Sequence, residues 1–180
     1  MKIIKNAIYR LRGEVSTDEL IKRGLQVGTG FERLNQVIID DSHPWLIEIG
    51  DNVTLAPRVH ILAHDASTKR YLGYTKIGRV IIGDRVFIGA GTIIMPNTKI
   101  GNDVIIGANS VVTHDLPDGV VAAGNPAKII CGIKDYLIKE KKRMKDVPIY
   151  GKAFTIHGKI TTDMKLRQKK EIVNCGGFVE

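Results

Sequence analysis

A chain of 180 residues suits one domain with a real core, and its 43% apolar share is that of an ordinary soluble protein. No stretch approaches the roughly 20 apolar residues that a bilayer span needs. The start, Met1-Lys2-Ile3-Ile4-Lys5-Asn6, is too polar for a secretory signal, and Cys131 and Cys175 sit in no metal or redox motif, so a reducing cytoplasm is the expected setting. The formal charge of +8 is uneven, since residues 133–180 carry 12 Lys and Arg against 6 Asp and Glu. Such a tail is either a solvated face or an attractor of phosphates, whether of a cofactor, a glycan carrier or a membrane surface. No recognised nucleic-acid motif accompanies the charge, so nucleic acid is not an expected partner.

Residues 1–24 read as helical. Lys2–Leu11 sets Ile3, Ile4, Ala7, Ile8 and Leu11 on a short amphipathic helix, and Ser16-Thr17-Asp18-Glu19 is a capping box opening a second helix that closes at Gly24. Residues 25–48 read as irregular early coils. From residue 82 an aliphatic recurs every six positions, at Ile82, Ile88, Ile94, Ile100, Ile106 and Val112. A small or β-branched residue follows four positions after the first five of these, at Val86, Thr92, Thr98, Val104 and Ser110. Ile49, Leu55 and Ile61 carry the same phase earlier. Period six fits neither the helical 3.6 nor long strands, but it contains the strand's period of two with a turn in every sixth residue. The pattern predicts a stack of short-stranded coils, each covering the apolar surface its neighbour exposes. Asp51-Asn52, Asp84 and Asn102-Asp103 supply turn residues that tolerate positive φ or bond their own backbone. Ile61 to Ile82 spans 21 positions, which breaks the phase and leaves room for a loop at about residues 64–79. Beyond Pro126 the repeat stops. Residues 131–146 read as a basic capping helix, and residues 147–180 show no clear period.

The run Ile82–Val112 resembles the left-handed parallel β-helix of the hexapeptide-repeat acyltransferase superfamily. The expected fold is therefore an all-β coil over residues 25–130, with short N-terminal helices and a C-terminal capping helix. Pro44–Val53, Leu55-Ala56-Pro57 and Ala63–Thr68 are similar to the galactoside and maltose O-acetyltransferase branch and its polysaccharide-modifying relatives. The resemblance implies transfer of acetyl from acetyl-CoA to a hydroxyl of a sugar or glycan precursor, in a homotrimer, with no metal. It places the catalytic base at His64. The chemistry asks for such a residue, because a sugar hydroxyl attacks a thioester near pH 7 only if a base removes its proton, and imidazole is suited to that. No Gly-x-Ser-x-Gly elbow is present to require an acyl-enzyme.

Around His64 several residues are candidates. Asp65 is placed to orient it, although adjacent side chains also diverge. His60 belongs at a coil corner or subunit interface, and His43 reads as exposed. Asn35 and Asp41 lie where the family places acceptor-side polar residues, although the segment between Asp41 and Ile49 is longer here than in the galactoside enzymes. Arg70, Tyr71 and Tyr74 either meet a sugar or fix the loop against the body. On the donor side, Phe87–Gly91 and Ile106–Thr113 match the turns lining the pantetheine groove, with Ala90, Ala108 and Thr113 at its wall. Gly124-Asn125-Pro126-Ala127-Lys128 matches the family's terminal signature, where Lys128 meets the nucleotide phosphates. His114 stands in place of the usual Lys after Thr113, and Cys131 in place of a second Arg, so Lys134 or the basic tail is expected to add phosphate contacts and a peripheral hold on membranes. Two competing readings use the same coil: a γ-class carbonic anhydrase, which needs three His on zinc, and a non-catalytic scaffold.

Overall fold

The computed structural model describes residues 14–180, so the amphipathic helix expected at Lys2–Leu11 lies outside the described residues. Ser16 caps helix α1 (Thr17–Lys22), its hydroxyl accepting the Glu19 amide at 3.3 Å, and Gly24 leaves the helix with φ +107°. The next hundred residues wind as a three-sided coil. One face stacks β1 (Gln26–Val27), β4 (Ile47–Ile49), β9 (Val80–Ile82) and β12 (Thr98–Ile100). The second stacks β2 (Glu32–Arg33), β5 (Thr54–Leu55), β10 (Phe87–Ile88), β13 (Ile105–Ile106) and β15 (Val120–Ala123). The third stacks β3 (Ile38–Ile39), β6 (His60–Ile61), β11 (Ile93–Ile94) and β14 (Val111–Val112). Every one of these pairings is parallel, and register puts the sixth-position aliphatics in columns: Ile49 over Ile82, Leu55 over Ile88 and Ile106, Ile61 over Ile94 and Val112. Their side chains fill the prism and are essentially without solvent contact, each stabilising the coil by about 1.5–3 kcal/mol relative to exposure.

Turn chemistry explains the remaining positions of the repeat. Three residues after most inward positions the chain takes positive φ, at Gly30, Gln36, Asn52, Arg58, Arg85, Gly91, Asn97, Asp103, Asn109 and Gly119. Beside Asp84, therefore, the residue with positive φ is Arg85, while Asp84 has a different task. Its carboxylate accepts the Asp51 amide at 2.8 Å, as Asn102 accepts from Asp84 and Asp118 from Asn102 at the same distance, and Asp51 from Thr29 at 2.6 Å. A column of short polar side chains thus ties each coil to the next along the vertex between the first and second faces. Gly83 is required beneath it, because a Cβ there would lie 2.6 Å from Asn102 Oδ1 and 2.8 Å from the Gly101 carbonyl carbon.

The first coil, read from sequence as irregular, is regular from Gln26 to Ile39. It was masked by Arg33, which stands at an inward position. The Arg33 guanidinium closes the end of the prism, donating to the carbonyls of Val15 at 2.8 Å and Val37 at 2.5 Å. Three departures from period six remain, all at the vertex between the third and first faces. Ile39 and Ile49 are ten positions apart, and Ile61 and Ile82 twenty-one. In the last coil Val112 and Leu116, which lies over Ile100, are only four positions apart. The longest departure, predicted as a loop, is a hairpin of antiparallel β7 (His64–Asp65) and β8 (Lys76–Ile77), whose tip holds a 3₁₀ turn and the short helix α2 (Lys69–Leu72).

Strand β15 turns back into antiparallel β16 (Lys128–Gly132) through a cis Asn125–Pro126 peptide. A second compact unit spans Lys134–Glu180. Helix α3 (Ile133–Arg143) begins at this boundary, holds no buried residue and ends in Lys141-Lys142-Arg143. The stretch without visible period contains a parallel pair, β17 (Ile149–Tyr150) with β18 (Phe178–Val179), and helix α4 (Thr162–Glu171). Tyr150 is its one deeply buried side chain among the described core residues, its hydroxyl donating to Glu171 at 2.9 Å. No helix among the described residues is long and apolar enough to cross a membrane.

Candidate active site

Stacking of the first two coils brings the two irregular vertices together. Asp40 follows β3 and His64 follows β6, and because Ile39 pairs with Ile61 the two residues meet across adjacent coils. The Asp40 amide donates to the Ile61 carbonyl at 2.9 Å. Its carboxylate is buried. Oδ2 accepts the Ala63 amide at 2.8 Å and meets His64 Nδ1 at 2.5 Å, while Oδ1 accepts the amides of Ser42 at 3.0 Å and His43 at 3.2 Å. Burial alone would raise the Asp40 carboxyl, but the Ala63 amide, the His64 ring and the Ser42 amide outweigh it and hold the group below the ordinary carboxylate range. An ionised carboxylate only accepts, so the proton of neutral His64 sits on Nδ1 and Nε2 carries the lone pair. The ring is about one third exposed, with 35% of the side chain open to solvent. Such an arrangement, an imidazole held in one tautomer by a buried carboxylate, is chemically able to act as a general base.

Asp65 does not take that part. Its side chain runs along the hairpin, 2.6 Å from Lys76 Nζ and capping the following turn through the Ser67 amide at 2.8 Å. The Lys76 ammonium first, then the Ser67 amide, lower its carboxyl to about 2. Neighbours in a strand point to opposite sides, which is why Asp65 diverges from His64. Sequence reasoning missed Asp40, and named Asp41, which is exposed beside it. The signal was available in the register, since the residue after Ile39 must stack against the segment after Ile61.

The other candidates scatter. Asn35 lies at the preceding vertex of the first coil, where its carbonyl accepts the Arg58 amide at 3.1 Å. Arg70, Tyr71 and Tyr74 are exposed at the hairpin tip, and Thr68 Oγ1 holds the tip closed by donating to the Tyr74 carbonyl at 2.8 Å. Ala90 and Ala108 stack at the vertex between the second and third faces, the Asn109 amide donating to the Ala90 carbonyl at 2.8 Å. Thr113 and His114 are exposed after β14 and bond each other at 3.2 Å, and Lys128 is exposed at the start of β16. His60 faces outward from the third face.

His43, by contrast, is not an exposed bystander. Its ring lies 5.5 Å from that of His64, and its Nδ1 is buried without a hydrogen-bond partner. Asp40, His43 and His64 each offer a ligand atom within 4.8 Å of the others. Donors at the usual zinc distances lie about 3.3 Å apart in a tetrahedral site, whereas Asp40 and His64 are at hydrogen-bond distance. The three-His set of a γ-class carbonic anhydrase is not assembled among the described residues, because His60 is turned away from this group.

Comparison with known proteins agrees with the fold and the repeat. Residues 79–114 match the family model for the bacterial transferase hexapeptide (six repeats). The chain is 40% identical to protein CapG of Staphylococcus aureus over 72% of its own length and 78% of that protein's. It is 36% identical to galactoside O-acetyltransferase of Escherichia coli K12, covering 66% of this chain and 61% of that one. The solved galactoside acetyltransferase in complex with coenzyme A superposes with a TM-score of 0.57 at 35% identity, over 63% of this chain and 57% of the other. The chain thus spans less than two thirds of the length of both galactoside enzymes. Phased repeats, parallel three-sided coil and relatives converge: the chain belongs to the hexapeptide-repeat transferase family, and its coil is the left-handed β-helix of that family.

Proposed function

We propose that this protein is an O-acetyltransferase that moves acetyl from acetyl-CoA to a hydroxyl of a sugar or glycan precursor, with His64 as general base. The observation that carries this reading is the contact of His64 Nδ1 with the buried Asp40 carboxylate, which leaves Nε2 to accept a proton. The kinship with galactoside O-acetyltransferases and with a coenzyme A complex supplies the substrates. In the reaction the acceptor oxygen attacks the thioester carbonyl as its proton passes to Nε2. The tetrahedral intermediate then collapses, the C–S bond breaks, and the proton leaves with the coenzyme A sulfur. Asp40 stabilises the imidazolium that forms between these steps. No acyl-enzyme and no metal enter the scheme.

On this reading Ala90, Ala108 and Thr113 line the pantetheine groove, and Lys128 and His114 face the nucleotide phosphates. A prism filled by its own aliphatics has flat sides, so the groove forms between chains of a homotrimer, which sedimentation velocity checks. The 12 Lys and Arg against 6 Asp and Glu of residues 133–180 support a peripheral hold on an anionic membrane, checked by sedimentation with anionic against neutral vesicles. The decisive experiment is His64→Ala. Turnover, read as thiol release from acetyl-CoA, falls roughly 10²–10⁴-fold with acetyl-CoA affinity kept. A variant retaining more than a tenth of the wild-type rate removes His64 from the mechanism.

A further inference from the structure

Of the acceptor residues named from sequence, Arg70, Tyr71 and Tyr74 project from the hairpin tip and Asn35 lies at another vertex, and only Asp41 stands near His64. It opens the shorter excursion, Asp41–Leu46. Asp40 folds it through the amides of Ser42 and His43, and Pro44 opens a 3₁₀ turn (Pro44–Leu46) closed by the Leu46 amide on the His43 carbonyl at 3.0 Å. The carboxylate that holds the base therefore also fixes this segment. Three rings follow one another outward: His64, His43 at 5.5 Å, and Trp45 at 5.3 Å from His43. Trp45 is pinned by its backbone, because Gly24 leaves room for it where a Cβ would come within 2.8 Å of the Trp45 Cβ. Yet the residue is 55% exposed. A half-exposed indole held by its backbone, two rings from a base, offers a broad apolar ring with a polar edge and so suits a stacking platform.

We propose that Trp45, spaced from the base by His43, is the acceptor platform, taking the flat C–H face of a pyranoside so that a ring hydroxyl is presented to His64. The inference rests on His64 being the base, and it narrows the acceptor to a cyclic sugar with one unhindered face. An open-chain polyol offers no such face and is excluded. His43 is a positioning residue here, its Nδ1 buried without a hydrogen-bond partner rather than offered to solvent.

Trp45 is the chain's single tryptophan, so its fluorescence reports the platform directly. The full chain, held with coenzyme A, is titrated with methyl β-D-galactopyranoside, methyl α-D-glucopyranoside and, as the open-chain control, glycerol. A saturable change with at least one pyranoside and none with glycerol is expected. With the same pyranoside as acceptor, Trp45→Ala raises the acceptor KM at least about fivefold and leaves the acetyl-CoA KM within about twofold, while Trp45→Phe restores most of the loss. Phe keeps the ring, so it separates loss of stacking from loss of folding. No saturable change with either pyranoside, or an unchanged acceptor KM in a folded Trp45→Ala, overturns the platform. Failure of the base is read elsewhere: His64→Ala with wild-type thiol release sinks that reading while leaving the Trp45 titration, which needs no turnover, intact.

Discussion

Replacing Asp40 by Asn tests whether the buried carboxylate sets the tautomer of His64. The change preserves shape and converts one accepting oxygen into a donor. If the amide nitrogen takes the place of Oδ1, it faces two donors, the amides of Ser42 and His43. If it takes the place of Oδ2, it opposes only the Ala63 amide, and His64 Nδ1 turns acceptor. One opposed buried donor costs about 1–3 kcal/mol and two cost more, so the second orientation wins. The imidazole proton then moves to Nε2, and the lone pair that should take the acceptor's proton points at the introduced side-chain amide instead of the substrate. The expected outcome is a fall in kcat of roughly 10²–10⁴-fold with acetyl-CoA KM little changed. Melting temperature drops by about 2–12 °C, the shift that 1–3 kcal/mol gives for a chain of this size. The pH dependence carries a sign. Asp40 is depressed in the folded state, so its stabilising contribution is complete above the unfolded value of about 3.9 and is lost as pH falls through the lower folded one. The gap in melting temperature between wild type and variant, open at pH 7, therefore closes below about pH 4. A folded Asp40→Asn within tenfold of the wild-type kcat refutes the reasoning.

Asp65→Asn, which breaks only the exposed pair with Lys76 across the hairpin, leaves kcat within about threefold; a loss matching that of Asp40→Asn would hand Asp65 the orienting role after all. Gly83→Ala forces a Cβ against Asn102 and the Gly101 backbone and destabilises the coil by about 1–3 kcal/mol in a denaturant titration, with an unchanged midpoint counting against the interlock. Lys128→Ala raises the acetyl-CoA KM more than the acceptor KM at low salt, an effect that fades at high salt as an exposed charge is screened; equal KM values at low salt would remove Lys128 from the donor site.

How far the sequence carried depends on the range of each interaction. The coil was legible because Ile82, Ile88, Ile94, Ile100, Ile106 and Val112 declare a local period, and the hairpin that begins at His64 because it is the longest break in that period; His64 itself was singled out by the family resemblance. Asp40 was not, because its role exists only once one coil is laid on another; the two partners lie 24 residues apart and nothing local marks the acid. Arg33 concealed the first coil for a similar reason, being an inward charge that only the prism's open end can satisfy. His43 was passed over as exposed because its burial comes from His64 and the excursion's own fold rather than from a repeat position. In the Lys134–Glu180 unit the pairing of Ile149–Tyr150 with Phe178–Val179 joins segments with no shared pattern, and helix α4 has no apolar stripe for periodicity to find.

The column of aspartate and asparagine side chains at one vertex has a further consequence for how such a chain can change over generations. Each coil takes its register from the coil beside it at that vertex, independently of how much chain is spent at the vertex between the third and first faces. Insertions of different length there, one carrying His43 and Trp45 and the other the His64 hairpin, leave every inward residue in place. Length at that vertex is therefore a free parameter, and the recognition segments mounted on it can be swapped or regrown without retuning the body that carries them.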